Sequence, residues 1–277
     1  MIEDIKNHGY VADTIEPEHY VFGGGNVAED VLQKDGHGWG AYLPEVEIQN
    51  LFGFETMGCT LFGTTNAIET IMLRKFGIKT NYSERALGVL SNMTPSGNSP
   101  HVVAEAIRKN GLIDNMYLPF TEKINTWQKY YSPVPLSTDL VSMGQRWLTQ
   151  WDFKHEWVFQ GGTLAQKQAS IKEALKLSPL GVSVRAWVMD GDLYVKPAGS
   201  QDNHWCLLYD FVEGEYWMIF DHYDNTHKTL AWDYDFGSAK RYHIEKLLTP
   251  NLMGGNWVTD LAHRLFPCLF NNKIQIA

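Results

Sequence analysis

From Leu61 onward the apolar and threonine positions recur at 61, 65, 68, 72 and 76 (Leu, Thr, Ile, Met, Phe). That spacing predicts a helix with one buried stripe, ending near Gly77. Ser83 is placed to cap a short helix running to Leu90. Thr94-Pro95-Ser96-Gly97-Asn98 reads as a loop. Ser99 then caps a further helix with Pro100 at its first position and Val103, Ala106 and Ile107 facing inward, and Asn110-Gly111 stops it. Tyr117-Leu118-Pro119-Phe120 and Tyr130-Tyr131-Ser132-Pro133 interrupt the pattern. Helical spacing returns over 138–151 and 166–177 and is stopped at Ser178-Pro179. After Gly181 the period changes to alternation rich in β-branched residues. Strands are predicted over 181–188, 192–195, 204–210, 215–221, 228–232 and 240–245, with turns at Gly191, Glu213-Gly214 and Asp224-Asn225. Helices first and an antiparallel sheet later define an α+β class.

The same pattern divides the chain into four parts. Residues 1–40 form a polar, glycine-rich N-terminal arm, with Gly23-Gly24-Gly25, Gly36-His37-Gly38 and a short helix predicted near 27–33. The arm is either an extension hugging the surface or a segment that crosses or regulates a functional face. Residues 41–135 form a helical lobe and residues 136–249 a β-rich lobe. Residues 250–277 form a tail whose Leu265, Phe266, Leu269 and Phe270 would pack back on the domain or dock on an assembly partner. No internal repeat is present.

Composition narrows the function. The net charge is −9 and the chain lacks basic clusters, so nothing would neutralise phosphates, and nucleic acid is excluded as a partner. The longest apolar runs are too short to span a bilayer. The N-terminus lacks a basic region followed by an apolar core, so no secretory signal is expected and the expected location is cytoplasmic. Cys59, Cys206 and Cys268 are neither a disulfide framework nor a CxxC metal motif, which fits a reducing compartment without a structural metal.

Cys59 stands after Gly58 at the predicted head of the 61–76 helix. Free N–H groups and the helix dipole there favour a thiolate. A thiolate nucleophile needs a base, and the base needs an orienting acceptor. Of ten histidines, His204 opens a strongly apolar strand, Asn203-His204-Trp205-Cys206-Leu207-Leu208. Asp221 ends the next strand of the same hairpin, which would put its carboxylate beside the imidazole. His222 is the competing base, although strand alternation turns it to the opposite face. Taken singly, Cys59 reads as a buried thiol, His204 as a core histidine and Asp221 as a turn cap. Cys206 reads as inert core, and His243 and His263 as structural.

In that order these parts resemble the papain-like cysteine peptidases over roughly residues 43–245. Gly58-Cys59 heading a long helix, Ser83-Glu84 at a helix start, the Gly97-Asn98-Ser99-Pro100 loop, Asn203-His204, and a strand ending at Asp221 are all similar to the family's segments. The resemblance implies a helical N-terminal lobe packed on an antiparallel β-sheet or barrel lobe, with the cleft between them. It implies peptide-bond hydrolysis by Cys59 with His204 as acid and base and Asp221 as orienter, on a polypeptide substrate, with no cofactor and no metal. Gly97 and Asn98 would line the cleft and pair with substrate backbone, beside Asn203 and Tyr223. The chain departs from the family in four places. Thr60 stands where the family has a tryptophan, Asp221 replaces an asparagine, Tyr223 replaces the tryptophan that shields the triad, and Gly53 occupies the spacing of the oxyanion glutamine. Gln49, ten residues before Cys59, is the substitute candidate, provided that four residues within 50–57 loop out. The family's disulfide cysteines are missing, as in phage and bacterial variants, and a virion-associated role is compatible. Two rivals remain: a transglutaminase-like acyltransferase, and a non-catalytic papain-like part of a larger assembly.

Overall fold

The computed structural model describes residues 7–223 and 226–247. The predicted tail over 250–277, with Cys268 and His263, and the Asp224-Asn225 turn lie outside these. The central helix α1 spans Cys59–Phe76 and is closed by Gly77. It is buried all round from Cys59 to Met72, not along one stripe. Two of its buried threonines satisfy their hydroxyls on the helix itself: Thr65 donates to the Leu61 carbonyl and Thr70 to that of Asn66. The helix can therefore be enclosed without orphaning those groups.

The other helices are α2 (Glu84–Leu90), α3 (Pro100–Asn110), α4 (Trp127–Tyr130), α5 (Thr138–Gln150) and α6 (Leu164–Leu175). The Ser83, Ser99 and Ser137 hydroxyls cap α2, α3 and α5 by accepting backbone N–H groups of the first turn, and Thr163 and Gln166 form a capping box on α6. The strands are β1 (Trp151–Trp157), β2 (Leu180–Val184), β3 (Met189–Asp190), β4 (Leu193–Tyr194), β5 (His204–Val212), β6 (Tyr216–Phe220), β7 (His227–Ala231) and β8 (Ala239–Lys246). They form one sheet in the order β1-β8-β2-β5-β6-β7-β4-β3, antiparallel except where β4 meets β7.

Two cores cover this sheet. On one face Leu207, Phe220, Tyr242 and Ile244 pack with α1, α3 and Trp147 of α5. On the other, Val182, Cys206, Leu208 and Ile219 pack with Ile171, Ala174 and Leu175 of α6 and with Trp39. Alternation along β5 thus feeds both layers. Strand β1 has no counterpart in the sequence reading. Its buried Trp151, Phe153 and His155 alternate with half-exposed Asp152 and Lys154, but α5 runs into it with no turn residue between. No helix forms over 27–33. That stretch is held from outside, Leu32 and Gln33 donating their N–H groups to the Lys176 carbonyl. Among the described residues no helix is long and apolar enough to cross a membrane.

The head of α1 lies directly on β5. A Cβ added at Gly63 would come 2.8 Å from Trp205 Cδ1 and 3.3 Å from the Cys206 Cα. Gly63→Val is expected to destabilise the fold by about 1–3 kcal/mol through overpacking. Urea denaturation checks this, and an unchanged midpoint would mean that helix and strand are not in close contact.

Candidate active site

Gly58 caps α1, so Cys59 occupies its first turn. The loop before it is fixed by Tyr131, whose hydroxyl donates to the Thr56 carbonyl at 2.9 Å. Met57 in that loop has φ of +59°, a left-handed conformation costly for a side-chain-bearing residue. The Cys59 thiol is wholly buried and receives the backbone N–H of Trp205, the neighbour of His204 along β5.

His204 Nε2 and Asp221 Oδ1 are 2.7 Å apart, both residues fully buried. The carboxylate holds the proton on Nε2, and Nδ1, which has no hydrogen-bond partner among the described residues, keeps the basic lone pair. Asp221 Oδ2 meets Lys228 Nζ at 2.8 Å, and Oδ1 also accepts the His222 backbone N–H. Burial alone would raise this carboxyl, but His204, His222 and Lys228 outweigh it and hold it well below the usual range. Lys228 is a site residue that the sequence reading missed. Its only signal was a lysine that strand alternation places on the same face as Leu230.

His222 corrects an expectation. It does not face away: β6 ends at Phe220, so alternation no longer applies, and the ring sits 5.0 Å from His204 and stacks on Phe62. Cys206 is buried in β5 opposite Val182, and burial pushes its thiol up.

Gln49 lies in the site. Residues 49–54 form successive turns, with Gly53 N–H on the Asn50 carbonyl, and these return the chain to Glu55. Glu55 Oε1 accepts from Gln49 Nε2 at 2.5 Å and from Met57 N–H at 2.8 Å. Gln49 Nε2 also faces the Tyr223 hydroxyl and the His8 carbonyl oxygen, each at 3.1 Å. Trp187, also missed, stands edge-on 5.7 Å from His204, as Tyr223 does at 5.6 Å.

The His8 contact reveals what fills the cleft. His8 donates its N–H to the Asn203 carbonyl, Asn98 donates to the Gly9 carbonyl, and Val11 donates to the Asn98 carbonyl. The arm therefore crosses the site as a peptide that bends at Gly9 and is pinned at Gln49, Asn203 and Asn98. The approach is tight: a Cβ at Gly9 would collide with the Met57 carbonyl, and one at Gly97 with the Gly9 backbone. Beyond Val11 the arm runs to Trp157, where Phe22 and Tyr20 pair with its backbone.

With the site covered, desolvation works against the expected thiolate. Burial pushes the Cys59 thiol well up and the His204 imidazole down, which favours the neutral form of each. Among the described residues two groups could geometrically hold an ion, His204-Asp221-His222 and Asp30-His243-Glu245. In both, a lysine ammonium already faces the carboxylates, Lys228 in the first and Lys75 in the second. A cavity of about 750 Å³ lies elsewhere, lined by His19, His101, His155 and Lys240.

No protein-family model and no curated protein matches the chain. Its architecture nevertheless defines a class: a helix headed by a cysteine, laid on an antiparallel sheet, with the N-terminal arm running across their junction. Among solved structures it is similar to digestive procathepsin L 3 of the Tenebrio molitor larval midgut, at 17% identity and a TM-score of 0.57 over 85% of this chain and 76% of that one. The chain has a papain-like fold.

Two predictions follow from the buried charges. Lys228→Met strips Asp221 of its ammonium and is expected to cost about 3–5 kcal/mol in urea denaturation at neutral pH. Lys228→Met with Asp221→Asn should recover most of that loss, and equal losses in the two would refute the pairing. The second concerns acid. His204 and His222 are depressed in the folded chain, as are His101 (to about 4) and His155 (to about 3), in each case chiefly by burial. The unfolded chain therefore binds more protons on them, and stability should fall as pH drops through about 6.5. The depressed Asp221 adds a further loss below about pH 4. A melting temperature that stays flat from pH 7 to 5 would contradict this.

Proposed function

We propose that this chain is a papain-like cysteine peptidase whose N-terminal arm covers its own active site. One observation carries the reading: a peptide segment, residues 8–11, lies against the cysteine-bearing helix with its backbone gripped at Asn203 and Asn98 and a carbonyl oxygen on the Gln49 amide. That is the hold a peptidase needs on a polypeptide substrate.

With the arm displaced, water reaches the site and the Cys59 proton passes to His204 Nδ1. Asp221, itself compensated by Lys228, steadies the imidazolium. The thiolate attacks the carbonyl carbon, and the oxyanion is met by Gln49 Nε2 and the Cys59 backbone N–H at the head of α1. His204 then protonates the leaving amine, breaking the C–N bond and leaving a thioester. Water, deprotonated by the same imidazole, hydrolyses the thioester and restores the thiol.

A second reading, a non-catalytic papain-like component of an assembly such as a phage particle, draws on the neutral, fully enclosed thiol. Iodoacetamide labelling of the full-length chain separates the two. Gly9→Val, which cannot keep its approach to Met57, is expected to speed Cys59 alkylation by about tenfold or more, corresponding to about 1.4 kcal/mol lost from the covered state. Cys59→Ala should abolish the labelling. The same Gly9→Val chain should cleave denatured casein, as read by mass spectrometry. Rapid alkylation with intact casein would leave the scaffold reading.

A further inference from the structure

Tyr10 lies between the two backbone hydrogen bonds to Asn98, and its side chain enters a pocket beside the nucleophile. Its ring stacks on Trp205 (centroids 6.0 Å apart, planes 6° apart) and packs with Cys59 and Trp157, leaving the residue 8% exposed. At the pocket's end its hydroxyl meets Ser238 Oγ at 3.2 Å.

The groups behind Ser238 set that contact's direction. Ser183 Oγ donates to Asp202 Oδ2 at 2.6 Å, and Ser238 Oγ donates to Ser183 Oγ at 3.1 Å. Asp202 is held by the Gly237 N–H and by Lys196 at 2.6 Å. A hydroxyl has one proton, and both serine protons are committed toward the carboxylate. Ser238 therefore presents a lone pair to the pocket and accepts from a phenol. A phenylalanine ring would fill the same space and leave that acceptor unpaired, a loss that sites built around a substrate hydroxyl enforce strongly.

We propose that this pocket, vacated when the arm leaves, selects tyrosine over phenylalanine in the polypeptide segment that replaces residues 9–11 against Asn98. That segment is a substrate under the peptidase reading, on which the proposal rests, and the pocket's walls, Trp205, Trp157, Ser238 and Ser183, belong to the body of the protein.

The test uses the full-length Gly9→Val/Tyr10→Gly chain, whose arm is unseated and cannot refill the pocket. Binding of acetyl-His-Gly-Tyr-Val-amide and of its phenylalanine analogue is followed by NMR titration. Tyrosine should bind tighter by about tenfold, and adding Ser238→Ala or, independently, Ser183→Ala should reduce the ratio toward one. Equal affinities for the two peptides, or a ratio untouched by both serine variants, would overturn the proposal whatever the chain does to casein. A tyrosine preference in a chain that cleaves nothing would uphold the pocket as a tyrosine receptor and remove the peptidase reading instead. In a chain that cleaves, casein fragments should be enriched in tyrosine at one fixed distance from the cut.

Discussion

The contact between the head of α1 and the opening residues of β5 governs the geometry of everything else. Gly63 lets the helix settle on Trp205, and that approach brings the Cys59 thiol under the Trp205 backbone N–H, one residue from His204. Neither element could hold this position alone, since β5 is buried on both faces and α1 is buried all round. The two cores therefore lock the distance between a sulfur on a helix and an imidazole on a strand, which a loop-borne pair could not do as well.

Electrostatics adds a second layer. A buried carboxylate is costly unless it is paired and hydrogen-bonded. Asp221 spends one oxygen on His204 and the other on Lys228. The carboxylate–ammonium pair is neutral overall and still offers an acceptor to the imidazole. It thereby reconciles an aspartate with a position that the resembling family fills with a neutral asparagine.

Much of this was legible in the sequence because the period changes are clean. The 61–76 spacing, Ser83 and Ser99 as caps, and the alternation after Gly181 gave the α+β order directly. Cys59, His204 and Asp221 stood out because each sits at the end of an element, where a side chain is both fixed and accessible to another element. Where reading failed, the cause was tertiary. Strand β1 alternates as a strand should, yet it abuts α5 without punctuation, so helical spacing was carried through Trp151. His222 was assigned by strand alternation past the residue where the strand stops. Lys228 and Glu55 gain their roles only from neighbours seven and six residues away, Asp221 and Gln49, in ways that no local period encodes.

The arm explains why the covered site reads as inert. A cysteine at a helix head is a thiolate only if something solvates or pairs its charge. Here residues 8–11 exclude water, Trp205 supplies one backbone donor, and desolvation dominates both members of the pair. In the proposed mechanism the proton moves from sulfur to nitrogen only when the peptide leaves. Under the proposed reading the same backbone contacts serve two states: in one they hold the chain's own segment over a neutral pair, and in the other they hold a foreign peptide over an ionised one. What distinguishes the two is the dielectric around Cys59 and His204, which the arm controls by Gly9 lying flat against Met57 and Tyr10 filling the Trp205 pocket.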